Sequence, residues 1–107
     1  MLGHSPLPSI TVNDLAAVLA ADATTPVVDV REPAEYASGH VPSAALIPLA
    51  TVPVRLDEIP RDRTVYVVCH SGGRSGQAVS WLNQQGFDTV NVEGGTAAWA
   101  MAGHPVA

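Results

Sequence analysis

Short apolar runs alternate along the chain with stretches in which apolar residues recur at helical spacing. Residues 27–30 and Val65–Val68 are almost wholly apolar and rich in β-branched side chains, a pattern typical of strands that are buried on both faces. Weaker strand signals end at Ile10 and cover residues 45–49 and Thr89–Val92. Strands interleaved with helices in this way predict an α/β fold, with a parallel sheet covered by helices on both faces.

Several helical stretches begin with recognisable residues. Thr11 predicts an N-cap, and Pro33 suits the first turn of a short helix. Residues 52–59 favour a weaker helix, and residues 75–85 predict a longer one that ends before a glycine. A last short helix carries Trp99. The chain therefore has a helical connection after most of its predicted strands.

Length and charge narrow the possible partners. The 107 residues suit one compact domain, and we expect residues 10–107 to form it, with residues 1–9 as an N-terminal extension. The net charge is −5, lysine is absent, and the five arginines are dispersed. Nucleic acid and anionic membrane surfaces are therefore not expected partners. An anionic substrate would have to be attracted by local groups, because the long-range field is repulsive.

Membrane spans, disulfides and metal sites are also not expected. No apolar run approaches the roughly 20 residues that span a bilayer, and residues 1–10 lack the basic start of a signal peptide. The single cysteine excludes an internal disulfide and makes the reducing cytoplasm the default compartment. The histidines lack metal-ligand spacing, so a metal site is not expected; they are His4, His40, His70 and His104. No other cofactor is expected either.

The segment around the cysteine carries the candidate chemistry. Residues 69–75 read Cys-His-Ser-Gly-Gly-Arg-Ser and follow the clearest predicted strand. Gly72 and Gly73 allow successive backbone N–H groups to turn toward one point, and the helix that follows adds its positive end there. Comparable sites lower the pKa of a cysteine from about 8.5 to about 3.5–7.5. Cys69 is therefore a candidate nucleophile, although a lone cysteine is often a small core residue.

The neighbouring polar residues have two possible roles each. Arg74 can hold an anionic substrate with its planar fork of donors, or it can form a surface salt bridge. Ser75 can cap the helix or donate to the sulfur, and His70 can tune the thiolate or face solvent. Arg31 and Glu32 follow another strand and are candidates to line the mouth of the site, because loops at strand ends commonly carry function.

Three segments resemble the signatures of the rhodanese family, and together they cover almost the whole chain. Residues 27–49 read VVDVREPAEYASGHVPSAALIPL, residues 65–75 read VYVVCHSGGRS, and residues 86–99 read GFDTVNVEGGTAAW. Two positions depart from the family pattern: Ser43 and Leu46 stand where glycine and asparagine are common. Both departures lie outside the cysteine loop and concern local turn geometry.

The resemblance implies a three-layer fold with a central five-stranded parallel sheet. It implies that Cys69 attacks a small anionic sulfur donor such as thiosulfate and becomes a persulfide. A thiol, cyanide or a protein would then accept the sulfur. By the family pattern the rest of the loop binds the substrate: His70, Ser71, Gly72, Gly73, Arg74 and Ser75.

Two other functions remain open at this stage. A sulfur-carrier or relay module that delivers to one specific protein would have the same sequence features, since a fold does not fix the acceptor. A phosphatase or arsenate reductase would use a similar cysteine loop. Four residues separate Cys69 from Arg74, whereas the related phosphatase loops have five, and the smaller ring suits a sulfur atom better. No aspartate is an obvious general acid, although Asp29 and Glu32 stay open as candidates until their positions in space are known.

Overall fold

Five parallel strands form the sheet in the computed structural model, which describes residues 7–107. The strands are β1 (Ser9–Ile10), β2 (Val27–Asp29), β3 (Ala45–Leu46), β4 (Val65–Val68) and β5 (Thr89–Val92). Their order across the sheet is β1-β5-β4-β2-β3, so β4 is central and its carboxyl end is flanked by those of β2 and β5. The predicted α/β fold and its five-stranded parallel sheet are confirmed.

Four α-helices connect or follow these strands: α1 (Val12–Ala21), α2 (Pro33–Ala37), α3 (Gly73–Gln84) and α4 (Gly95–Met101). Thr11 caps α1 as predicted, because its Oγ1 accepts the N–H of Asp14 at 3.1 Å. Pro33 is the first residue of α2, and α3 begins two residues earlier than the sequence predicted. No helix within residues 7–107 has the length and apolar character that a membrane crossing requires.

The weaker helix predicted at residues 52–59 differs from the structure in its type and its bounds. This segment forms two 3₁₀ helices, Leu49–Val54 and Leu56–Glu58. Pro53 lies inside the first of them and lacks the backbone N–H that an α-helix would use, and 3₁₀ turns are the usual form of such short connections. The predicted strand at residues 45–49 is also shorter than expected, since β3 ends at Leu46.

The predicted boundary of the domain needs a small correction. Ser9 already belongs to β1 and pairs with Asn91 of β5, so the domain begins before residue 10. Residues 1–6 of the predicted extension lie outside the described residues.

Side chains alternate between the two faces of the sheet, as the pleat requires. Val65, Val67 and Cys69 belong to the apolar cluster that α3 and the 3₁₀ segment cover. Val68 belongs to the opposite cluster, together with Leu15 of α1 and other residues of that face. Cys69 is therefore the last member of a buried row, on the face of the sheet that carries α3.

A strained residue lies in the turn before β3. Ser43 has a φ of 70°, in the left-handed region that costs an L-residue about 1–2 kcal/mol and costs glycine little. We expect Ser43→Gly to raise the free energy of unfolding by about 0.5 kcal/mol or more, after the entropy cost of the added glycine. Urea denaturation measures this change.

Ser38→Gly is the matched control. Ser38 ends α2 with an ordinary φ of −79°, so glycine relieves no strain there and is expected to destabilise the protein slightly. A loss of stability in Ser43→Gly as large as that in Ser38→Gly would contradict the strain argument.

Candidate active site

Cys69 follows β4 directly, and the loop after it folds over the sulfur. The residue is 1% exposed, and its Sγ accepts the backbone N–H of Gly72 at 3.1 Å. Gly72 has a φ of 112°, a conformation that glycine adopts without the penalty of other residues. The Oγ of Ser75, in the first turn of α3, lies 3.3 Å from Sγ. The sulfur is therefore enclosed by donors from the loop and from the start of a helix.

These donors favour the anionic form of the sulfur. Burial alone raises the pKa of the Cys69 thiol, but hydrogen bonds from the Ser75 side chain and from the backbone N–H groups of Ser75, Gly72 and Ser71 outweigh it. The pKa is lowered below its usual value as a result. The direction of the shift predicted from the sequence is confirmed.

The N-terminus of α4 holds the carbonyl groups of the loop. The N–H and Oγ1 of Thr96 donate to the Cys69 carbonyl at 2.8 and 3.0 Å, and the N–H of Ala97 donates to the His70 carbonyl at 3.0 Å. In a planar peptide unit the N–H points away from the C=O. With the His70 carbonyl turned toward α4, the N–H of Ser71 is therefore turned away from α4, to the side of the sulfur.

The cysteine loop thus joins the end of β4 to the start of α3, turns N–H groups toward the sulfur, and is hydrogen-bonded to the N-terminus of α4. The family model for the rhodanese-like domain matches residues 11–102, which is most of the chain. The chain belongs to the rhodanese-like domain family.

Individual relatives agree with this assignment. A sulfurtransferase of Allochromatium vinosum is 49% identical over 80 residues, which are 74% of this chain and 75% of that protein. A rhodanese-related protein of Thermoplasma volcanium is 36% identical, with a TM-score of 0.86 over 94% of this chain and 97% of that chain. A thiosulfate sulfurtransferase of Pseudomonas aeruginosa is 27% identical, with a TM-score of 0.85 over 94% of this chain and 20% of that chain.

In this rhodanese-like domain the guanidinium of Arg74 is paired with a residue that the sequence did not single out. Its Nη1 and Nη2 donate to the two carboxylate oxygens of Glu35 in α2, each at 2.8 Å. Hydrogen bonds from Arg74 and from the backbone N–H of Glu32 lower the pKa of Glu35 to about 2, so this carboxylate is ionised at neutral pH. Arg74 and Glu32 also line an open cavity of about 830 Å³ between α3 and the first 3₁₀ helix.

Asn91 of β5 is a second residue that the sequence analysis missed. Its Oδ1 lies 2.6 Å from the Oγ of Ser75, and its Nδ2 lies 3.3 Å from the carbonyl oxygen of Gly72. The residue is 8% exposed. The available signal was a single amide within the otherwise β-branched strand Thr89–Val92, because a buried polar side chain needs a partner.

The structure does not place Arg31 at the mouth of the site. Arg31 is buried, and its guanidinium donates to both carboxylate oxygens of Asp29 at 2.8 to 3.1 Å. It also donates to the Gly39 carbonyl at 2.8 Å. A buried charge requires such partners, so Arg31 fixes the turn after β2. Glu32, in contrast, lines the open cavity together with Arg74, and its place at the mouth of the cysteine site stays a prediction.

The remaining predicted residues lie where the loop meets solvent. His70, Ser71 and Gly73 are exposed, and His70 contributes its carbonyl to the contact with α4. Between residues 7 and 107 no three His, Cys, Asp or Glu side chains are grouped closely enough to hold a metal ion. His4, one of the histidines considered for metal binding, is outside the described residues.

We expect Gly95→Ala to damage the cysteine loop. Gly95 has a φ of 61°, and a Cβ there would lie 2.5 Å from the carbonyl oxygens of both Cys69 and His70. The loop and α4 must separate to relieve this contact, so both the thermal stability and the reactivity of Cys69 should fall. Thermal unfolding and the rate of alkylation by iodoacetamide measure the two effects.

Gly103→Ala separates the clash from the backbone strain. Gly103 has a φ of 84° but no atom within 4 Å of the added Cβ. It should therefore lose stability through strain alone and keep the alkylation rate of the native protein. Equal alkylation rates in the two variants would contradict the role assigned to Gly95.

Proposed function

We propose that this protein is a sulfurtransferase that carries sulfur as a persulfide on Cys69. The observation that carries the proposal is the enclosed sulfur of Cys69, with the Gly72 N–H 3.1 Å away and the Ser75 hydroxyl 3.3 Å away. This arrangement stabilises negative charge at one sulfur atom. The family to which the chain belongs and the sulfurtransferase relatives support sulfur transfer as the reaction.

The first half of the reaction loads the cysteine. The Cys69 thiolate attacks the outer sulfur of a sulfane donor such as thiosulfate, and a new S–S bond forms as the bond within the donor breaks. Sulfite leaves with the electron pair of the broken bond, and Cys69 becomes a persulfide whose terminal sulfur is anionic. The charge stays within the ring of N–H groups, which therefore stabilise the loaded form as well.

The second half transfers the sulfur to an outside acceptor. Cyanide or a thiolate attacks the terminal sulfur, the S–S bond breaks, and the Cys69 thiolate is restored. No other cysteine is present to resolve the persulfide internally, so donor and acceptor react in turn, in a ping-pong cycle. Thiosulfate is the donor we propose, since it is small and doubly anionic; the named activity of the Pseudomonas aeruginosa relative also supports it.

The geometry gives less support to phosphate chemistry. Four residues lie between Cys69 and Arg74, which makes a small ring. Asp29, considered above as a general acid, is fully buried and bound to Arg31, so it is not available to protonate a leaving group. Glu32, the other carboxyl considered, lines the open cavity, so the small ring and the rhodanese-like family carry the argument against phosphate chemistry.

The loaded intermediate provides the direct test. After incubation with thiosulfate and desalting, the intact mass should increase by one sulfur atom and return to its original value on addition of cyanide, with thiocyanate formed. Cys69→Ser, a nearly isosteric change, should show neither effect while keeping the native fold by circular dichroism. A mass gain without thiocyanate production, but with transfer to a thiol or a protein, would identify a relay. No mass gain would contradict the persulfide mechanism.

Arg74 should contribute to the binding of an anionic donor. A charge-assisted hydrogen bond is worth about 1.5–3 kcal/mol, so Arg74→Ala should lower kcat/KM for thiosulfate roughly ten- to a hundredfold. A neutral donor such as an organic trisulfide should be affected much less. Because Glu35 occupies both outer nitrogens of Arg74, Glu35→Gln should lower KM for thiosulfate by weakening this competitor.

Arg55→Ala is the matched control for this experiment. Arg55 forms a similar two-point pair with Glu58 on the 3₁₀ segment, with both distances 2.7 Å. Its loss removes one positive charge and one ion pair without touching the cysteine loop. If Arg55→Ala and Arg74→Ala reduced kcat/KM for thiosulfate equally, a general effect of charge would explain the result, and the role proposed for Arg74 would be wrong.

A further inference from the structure

Asn91 contacts the cysteine loop at two points from the neighbouring strand. Its Nδ2 lies 3.3 Å from the Gly72 carbonyl oxygen, and its Oδ1 lies 2.6 Å from the Ser75 Oγ. The backbone of Asn91 is fixed in the sheet, where it pairs with Ser9 on one side and Val67 on the other. The amide is therefore held rigidly beneath the loop.

The chemistry of the partners fixes which way the amide points. A carbonyl oxygen can only accept hydrogen bonds, so the Gly72 carbonyl must face the NH₂ group of Asn91. The Oδ1 of Asn91 then faces Ser75 and, as an acceptor itself, requires the Ser75 hydroxyl to donate. The short Oγ to Oδ1 distance of 2.6 Å fits this donation.

Ser75 has a single hydroxyl proton, and two acceptors lie within its reach. While Asn91 holds that proton, the Ser75 oxygen presents a lone pair to the Cys69 sulfur 3.3 Å away. A lone pair suits the S–H group of a thiol, which can donate to it, but it repels a thiolate. Donation from Ser75 to the thiolate requires the hydroxyl to rotate and to give up its bond to Asn91.

We propose that Asn91 is a positioning residue that competes with the Cys69 sulfur for the hydroxyl proton of Ser75. The competition limits how strongly Ser75 stabilises the thiolate and so preserves the nucleophilicity of the sulfur. The purpose of this competition rests on the proposed function, in which the Cys69 Sγ is anionic before it attacks the donor and neutral once it carries the persulfide. The hydroxyl can rotate toward Sγ in the first state and back to Asn91 in the second.

The pH dependence of Cys69 alkylation by iodoacetamide tests the proposal without requiring sulfur transfer. Asn91→Ala removes the competing acceptor, so the midpoint of alkylation should move to lower pH by about half a unit or more. In a Ser75→Ala background the same substitution should leave the midpoint unchanged, because there is no hydroxyl proton to compete for. Thermal unfolding confirms that each variant is folded.

The double-mutant comparison also controls for the other charges near the loop. Arg74 with its partner Glu35, Glu32, and the exposed His70 are common to all four proteins, so their effects cancel in the difference. A structural role for Asn91, for instance through the Gly72 carbonyl, would shift the midpoint equally with and without Ser75 and would overturn the proposal. An unchanged or raised midpoint in the Ser75-containing variant would overturn it as well.

Asn91→Asp is the second variant if Asn91→Ala does not fold. It keeps an oxygen opposite Ser75 and makes it a stronger, charged acceptor, so the midpoint should rise, and by more when Ser75 is present than in the Ser75→Ala background. A fall, or an equal rise in both backgrounds, would contradict competition for the proton. Because alkylation needs only Cys69, a protein that fails to take sulfur from thiosulfate can still support or overturn this inference.

Discussion

The hydrogen bonds between α4 and the cysteine loop are the contacts on which the site depends. Thr96 and Ala97 donate to the carbonyls of Cys69 and His70 at 2.8 and 3.0 Å, and these carbonyls could otherwise turn inward against an anion. Once they are bound to α4, the opposite ends of the peptide units are free to face the sulfur. Gly95 permits the approach, since any side chain there would collide with both carbonyls. Residues 86–99, which are distant from the loop in sequence, therefore determine which backbone groups of the loop can face the sulfur.

The distribution of charge leaves backbone groups as the main donors that the cysteine loop can offer to an anion. The chain has a net charge of −5 with five arginines, and Arg31, Arg63 and Arg74 are paired with carboxylates of the fold. Arg74 offers its outer nitrogens to Glu35 before any ligand arrives. Backbone N–H groups and a helix N-terminus attract an anion without carrying a formal charge that a neighbouring carboxylate can neutralise. Backbone donors of this kind suit a small anion whose charge can come close to the N–H groups around the Cys69 sulfur.

The sequence was sufficient to predict the parts of the structure that are local. The strand Val65–Val68, the cysteine after it and the glycines of the loop are contiguous, so their arrangement and the direction of the shift in the Cys69 pKa could be predicted without a fold. Glu35 and Asn91 could not be assigned in this way, because they reach the loop from α2 and β5 and only the sheet order brings them there. The weaker helix predicted over residues 52–59 takes the form of two 3₁₀ helices, because Pro53 lacks the backbone N–H that an α-helix would use. The burial of Arg31 cannot be predicted in this way, because its position beside Glu32 in the sequence carries no information about exposure.

Burial of the sulfur has a consequence for the order of events. The Cys69 residue is 1% exposed, so a bulky acceptor cannot reach Sγ itself, whereas a small donor can present a single terminal sulfur to it. In the proposed reaction the persulfide adds an S–S bond of about 2 Å, so the reactive atom is no longer Sγ but the terminal sulfur, which the N–H groups of the loop stabilise. The acceptor therefore meets a different atom from the one that the donor meets. In the proposed reaction one enclosed cysteine therefore takes sulfur from a small donor through Sγ and presents it to the acceptor on a second atom.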